Sequence, residues 1–319
     1  MKKNLKLSLI WLVIIAVIYG ILIGLISAGV INEFVTQIIT QIGINLIVAV
    51  GLNLVIGFTG QFSFGSAGFM AIGAYASAIV SARLAPTWGT IFLSMLIGAI
   101  VAGIVAVIVG YPTLRLKGDY LAIATLGVSE IIRILIMNGG DLTNGAAGLS
   151  GIVLFTSWGM TFIFAVLVIV FVLNFIYSPS GRATLSVRED EIASESMGVN
   201  VTRVKVIAFT LGAMVTAIAG SLYAGFIGTV TPKDFTWMKS VDALIIVVLG
   251  GLGSITGTII AAVVLGLLNM FLQDFGAIRM IIYSLILILV MIFRPGGLLG
   301  TWEFKLSRFF NKKENKEAK

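Results

Sequence analysis

Val241-Asp242-Ala243-Leu244-Ile245-Ile246-Val247-Val248-Leu249 leads into Gly250-Gly251-Leu252-Gly253-Ser254, and the apolar run then resumes as far as Phe271. A helix crosses the hydrocarbon core of a bilayer in about twenty apolar residues. The stretch is too long for one crossing and is cut by glycines, which weaken helices and let backbones approach closely. It reads as two short crossings, or as one crossing plus a re-entrant piece. Which of these holds fixes the parity of the whole chain.

Working outward, clear apolar spans lie near 7–26, 89–111, 152–177, 206–230 and 278–293, and less uniform ones near 36–56, 62–81 and 119–137. Lys and Arg concentrate on cytoplasmic segments of membrane proteins. Here the basic segments are the loop with Arg115 and Lys117, the loop with Arg182, Arg188, Arg203 and Lys205, and both ends of the chain. Lys2, Lys3 and Lys6 open it; Lys305, Arg308, Lys312, Lys313, Lys316 and Lys319 close it. The segments near Glu33 and Asp141 carry neither residue. Placing all basic segments on one side requires an even number of crossings. Splitting 241–271 in two gives about ten, with eight as the alternative. The expected fold is an all-α, polytopic transmembrane bundle with broken or re-entrant Gly-rich segments and both termini cytoplasmic. It forms a single domain over 1–319, with a hydrophilic loop at 178–205 and a basic tail at 301–319.

Composition agrees. Of 319 residues 59% are hydrophobic and 11% charged, and the mean hydropathy is +1.11. A soluble chain keeps roughly a quarter of its residues charged. The net charge of +7 sits in juxtamembrane clusters suited to anionic lipid, which argues against nucleic acid as a partner. Cysteine and histidine are absent, so disulfides, thiol nucleophiles, the usual zinc sites and the commonest general base are excluded. No catalytic residue and no metal site is expected. The run from Leu7 to Ile26 is longer than a signal-peptide core. It reads as an uncleaved helix, although Ser27-Ala28-Gly29 offers a small-residue site.

Polar residues inside such spans are the candidates for function. Gln37, Gln41 and Asn45 are spaced by four and share a helix face; Asn53 follows in the same span. Facing lipid, their amides would be unsatisfied, so they face other helices or a wet path. A second Gly-rich interruption, Gly57-Phe58-Thr59-Gly60-Gln61-Phe62-Ser63-Phe64-Gly65-Ser66-Ala67-Gly68, answers the one at Gly250–Gly257. Breaks in corresponding segments point to transport sites, and plain small-residue packing is the alternative. Gln41, Asn45, Asn53, Gln61, Ser63, Gly65 and Ser254 are the path candidates. Glu130 and Arg133, three apart, can neutralise each other on one face. Asp119 is a further ionisable residue at a span end, and Asp242 and Arg279 lie where snorkelling accounts for them.

The loop at 178–205 breaks the preceding helix at Ser178-Pro179-Ser180-Gly181. It forms a short charged helix over 183–197 and enters the next span through a cap at Asn200 or Thr202. Its length exceeds a plain connection, which leaves a docking surface, interfacial lipid contact or an inert connector. The chain has no G-x-x-x-x-G-K-[ST] phosphate loop, so any ATP is hydrolysed by another polypeptide.

Gly51-Leu52-Asn53-Leu54-Val55-Ile56-Gly57-Phe58-Thr59-Gly60-Gln61-Phe62-Ser63-Phe64-Gly65 and Leu114-Arg115-Leu116-Lys117-Gly118-Asp119-Tyr120-Leu121-Ala122-Ile123-Ala124-Thr125-Leu126-Gly127 resemble the branched-chain amino-acid ABC permease family. So do Ser180-Gly181-Arg182 through Arg188-Glu189-Asp190-Glu191 and the segment Phe293-Arg294-Pro295-Gly296-Gly297-Leu298. The Leu114–Tyr120 stretch and the Arg294–Leu298 end point to its LivM-type branch rather than the LivH-type one. The resemblance runs from about Phe34 to Leu299 and implies an ATP-driven importer in a prokaryotic plasma membrane. The implied partners are a second, LivH-type permease, two cytoplasmic ATPases that use ATP and Mg, and an external substrate-binding protein. It also implies that the loop carries a coupling helix with the pattern E-A-A-x-x-x-G. Ala193 and Gly198 match, Ser194 is a small substitute, and the glutamate position is Ile192 with Glu191 adjacent; Arg188 belongs to the same segment. The nearest alternatives are an ABC permease for urea, an amide, a sugar or a nucleoside, and an ion-coupled secondary transporter built on Asp119, Glu130 or Asp242.

Overall fold

The computed structural model describes residues 2–84, 87–275, 297–300 and 302–303, with single positions between 281 and 293; the side chains of residues 2–9, 12 and 274 are not included. Most of the expected span at 278–293, Arg279, the side chains of the amino-terminal lysines and nearly all of the basic tail at 301–319 lie outside the described residues. The helices are α1 (Lys2–Ser27), α2 (Glu33–Thr59), α3 (Ser66–Arg83), α4 (Trp88–Thr113), α5 (Asp119–Met137), α6 (Trp158–Tyr177), α7 (Pro179–Glu189), α8 (Glu191–Ser196), α9 (Val201–Ile227), α10 (Trp237–Gly250) and α11 (Ile255–Phe271). The β-structure among the described residues is a two-residue antiparallel ladder between β1 (Leu149–Ser150) and β2 (Thr229–Val230).

Among the described residues five helices, α2, α4, α5, α6 and α9, are long and apolar enough to cross a membrane, and the pair α10–α11 passes the same test together but is bent by 119°. At 1.5 Å per residue α10 and α11 are about 21 and 26 Å long, each short of a bilayer core of about 30 Å. The run that opened the sequence reading is therefore a helical V with its apex at Gly251–Ser254.

The centre of the bundle is made by α2, α3 and α9. From Leu46 to Thr59 every residue of α2 is buried. α3 crosses α9 where Gly73 meets Ala217 and Gly220 meets Met70, so closely that a Cβ on either glycine would strike the other helix's backbone. Ser221 Oγ donates to Gly73 O at that crossing (2.9 Å). Small residues at such contacts let two helices gain dispersion contacts in a solvent that supplies no hydrophobic drive. The outer face of α4 exposes Leu96, Ile100, Ile104 and Ile108, an apolar stripe fit for lipid.

Among the boundaries that differ from the sequence reading, three have a clear physical cause. The span at 152–177 begins as a helix only at Trp158. Its first part runs extended along the end of α9: Ile152 N donates to Gly228 O and Thr156 N to Gly225 O, and Thr156 Oγ1 to Leu222 O. Those carbonyls lie at a helix end, where several lack an intrahelical partner. An apolar segment covering them has the hydropathy of a crossing without the conformation. Likewise 62–81 is helical only from Ser66. The extended segment before it is held by side chains: Phe64 N donates to Thr125 Oγ1, Ser240 Oγ donates to Phe64 O and accepts from Ala67 N. Finally, the helix expected over 183–197 is two, α7 and α8, divided at Asp190, whose extended backbone (φ −155°) cannot continue a helix. Its carboxylate instead caps α8 through Ala193 N (2.9 Å).

The ends of the bundle differ in character. α7 packs on the end of α6 and against α2 and the start of α9, so Arg182, Arg188, Arg203 and Lys205 gather at one end. Gly110, near the close of α4, packs on Phe209, which brings Arg115 and Lys117 to the same end. The β1–β2 ladder marks the opposite end, with Asp141, Arg83 and Lys233.

Candidate functional site

At the basic end, four segments meet. Pro179, at the first position of α7, starts the helix without needing an N–H partner, and Ser178 Oγ caps it through Gly181 N (3.1 Å). This orientation sends Arg188 back toward the core, where its Nη1 donates to Gly57 O (2.6 Å) and lies against Gly253. Asn53, fully buried, donates through Nδ2 to Ser254 O (3.0 Å) and Thr258 Oγ1 (2.8 Å) and accepts from Gly253 N (2.9 Å). The apex of the V is thus bonded to α2, and α2 to α7. Ser254 caps α11 by accepting from Gly257 N (2.9 Å) and donates to Trp302 O (2.7 Å). Glu303 closes the node: it accepts from Ile255 N (2.5 Å) and Thr256 Oγ1 (2.7 Å). A carboxylate there also complements the positive end of the α11 dipole.

α8 stands out from this node. Glu191 does not point outward; it pairs with the largely buried Lys205 of α9 at 2.9 Å. Ser194 is buried and Ala193 exposed, while Ile192 (75%) and Met197 (85%) are the most exposed apolar side chains near it. Gly198 ends the helix with φ +86° and open space around it. An apolar knob on a rigid, ion-paired base is a shape that another protein can grip.

Among the path candidates, Gln61 is buried (2% exposed) with no hydrogen-bond partner for either amide atom among the described residues. Ser63 accepts from Gly65 N (3.2 Å), and Gly65 precedes α3. Gln37 and Gln41 are exposed and Asn45 half-buried. Asn45 shares a shallow cleft with Val48, Lys239, Asp242, Ala243 and Ile246. Asp242, expected as a residue near a span end, thus lines a polar cleft beside α2 together with Lys239. Lys239 was overlooked in the sequence because the span was begun at Val241; its spacing of three from Asp242 was the available signal. Glu130 and Arg133 meet at 2.7 Å, and Asp119 is exposed in the first turn of α5. No group of three or more potential metal ligands occurs among the described residues.

The profile of the family described as "Branched-chain amino acid transport system / permease component" matches residues 34–293. The chain belongs to this family. Among curated proteins, the permease is 37% identical over 276 residues to the "High-affinity branched-chain amino acid transport system permease protein LivM" of Salmonella typhimurium, 76% of this chain and 64% of that relative. The LivH protein of Escherichia coli K12 is 32% identical over 145 residues, 45% and 46% of the two chains. A "Ribose import permease protein RbsC" of Haemophilus influenzae is 28% identical over 250 residues, 72% and 74%. The permease spans about 64% of the length of its LivM relative. No solved structure matches it.

Proposed function

We propose that this chain is one permease subunit of an ATP-driven importer for branched-chain amino acids, with its basic end and both termini in the cytoplasm. It forms the path with a second, LivH-type permease and takes substrate from an external binding protein. Two separate ATPases bind ATP and Mg and grip α8. The likeness to LivM over 76% of the chain supports the substrate class. The observation that carries the coupling role is the line from exposed α8, through α7 and Arg188, to Gly57 and the apex of the V.

In this reading Arg188, Ala193, Ser194, Gly198 and Glu191 have different tasks. Ile192, Ala193 and Met197 meet the ATPase, Glu191 and Ser194 hold α8 to the bundle, Gly198 turns the chain, and Arg188 conveys the displacement to the helix breaks. Closure of the ATPases needs to favour one permease state by about 5.5 kcal/mol to reverse a 1:99 population. No bond in the substrate is made or broken.

The test is ATP-dependent leucine uptake by the complete transporter in proteoliposomes, comparing wild type with Ile192→Asp. Wild type takes up leucine only with ATP, and the variant, whose substitution lies on an exposed surface, keeps its abundance but loses uptake and ATPase co-purification. Ribose uptake in place of leucine would reassign the substrate. Uptake driven by an ion gradient without ATP would reject the importer reading.

A further inference from the structure

Lys239 and Asp242 stand three residues apart on α10, one turn of helix, and so share a face. Asn45, the third polar residue of their cleft, lies fourteen residues before the end of α2, about 21 Å up a helix of about 40 Å. The cleft is therefore near mid-depth of the bundle, where an ionisable side chain is costly unless it faces a partner or a wet path. The two charges lie within each other's field but are not in contact: among the described residues no ion pair within 4.0 Å includes Lys239 or Asp242. Lys239 rests its ammonium over the Tyr223 ring (5.4 Å) and feels the fields of Asp242 and Asp234. Asp242 is exposed on the surface of the chain, and so is Gln41, one helical turn before Asn45 on α2. Contrast the pair Glu130–Arg133, at 2.7 Å, which is what mutual neutralisation looks like in this protein.

The remaining walls of the cleft, Val48, Ala243 and Ile246, are aliphatic. The cleft is thus bordered by a cation, an anion, an amide and aliphatic side chains, which match the parts of a free α-amino acid with a hydrocarbon side chain. The cleft by itself has room for at most one water molecule, so it can serve a larger ligand only as one wall of a site.

We propose that Lys239, Asp242 and Asn45 form one wall of a waypoint for a zwitterionic α-amino acid, on the flank of the permease that meets its partner permease. Lys239 receives the carboxylate, Asp242 the ammonium, and Val48, Ala243 and Ile246 the aliphatic side chain. The inference rests on the importer reading and adds to it the place where cargo touches this subunit.

The chain contains no cysteine, so a single introduced thiol reports its own surroundings. In the complete transporter, Asn45→Cys and Gln41→Cys are expected to react with a charged, membrane-impermeant thiosulfonate, and Ile104→Cys on the outer face of α4 is not. Leucine-loaded binding protein with ATP slows the reaction at Asn45→Cys. Asp242→Asn and Lys239→Met each lower leucine uptake by roughly tenfold to a hundredfold, the range of one lost charge-assisted hydrogen bond, while Asp242→Glu and Lys239→Arg restore most of it. Uptake within twofold of wild type in both neutral variants overturns the proposal. So does an unreactive Asn45→Cys, and so does loss of the partner permease from the purified complex of the neutral variants, which would assign the charges to subunit packing. Failure of wild type to import leucine in the same assay would instead strike the importer reading.

Discussion

Arg188 Nη1 lies 2.6 Å from the carbonyl oxygen of Gly57, joining the segment between two membrane helices to the last turns of α2. The same guanidinium packs on Gly253 at the apex of the α10–α11 V. A Cβ at Gly253 would collide with it, and φ +82° there disfavours any side chain. One side chain therefore touches both helix breaks.

Replacing Arg188 with Ala removes a charge-assisted bond worth about 1.5–3 kcal/mol and detaches α7 from both breaks. Uptake should fall at least tenfold while ATPase co-purification stays normal, because α8 is untouched. Arg188→Lys should recover only part, since an ammonium lacks the planar fork. Uptake in parallel with subunit pull-down is the check.

Asn53→Leu leaves Gly253 N–H buried without its acceptor and Ser254 O without one of its donors. A cost of about 1–3 kcal/mol is expected, read as a lower midpoint in thermal unfolding of the detergent-solubilised complex. An unchanged midpoint would mean that the apex is not held by this amide.

Gly198 has φ +86°, a conformation that asparagine tolerates and β-branched residues do not. Gly198→Asn should keep ATPase binding and Gly198→Val should lose it. Equal behaviour of the two variants would remove backbone geometry as the reason for glycine here.

At the α3–α9 crossing, Gly220→Leu forces the helices apart. The chain should fail to accumulate in the membrane, measured by immunoblot of membrane fractions. Gly127→Ala, with no atom near its Cβ position, is the tolerated control.

Glu303→Gln weakens the clip on α11. Hydrogen exchange across residues 254–258 should accelerate relative to wild type, with exchange in α9 unchanged. Unaltered exchange at Ile255 would mean that Ser254 alone secures the helix start.

The sequence was informative where one local rule sufficed. The span of α5 was read to the residue because its apolar run has sharp polar ends at Asp119 and Asn138. The Glu130–Arg133 contact followed from spacing, and Asn200 capping α9 followed from residue type, its Oδ1 accepting from Arg203 N at 2.9 Å. It was misleading where one signal has two causes. Ile152–Thr156 is apolar because it covers the end of α9. The segment 183–197 has continuous helical composition, yet Asp190 serves a new helix better as a cap than as a link.

By itself the sequence determined that this is a helical membrane chain with a broken segment at Gly250–Ser254, basic groups on alternate connections and no thiol or imidazole chemistry. Those are properties of composition and of runs along one strand of covalent chain, fixed by the cost of placing polar groups in hydrocarbon. Only the tertiary structure decided the partners: that Asn53 bonds to residues about two hundred positions away, that Arg188 reaches Gly57, and that Lys239 and Asp242 open beside Asn45. Hydrogen bonds and unpaired charges depend on distance in space, and no spacing along the chain encodes a contact between helices that the loops alone do not bring together.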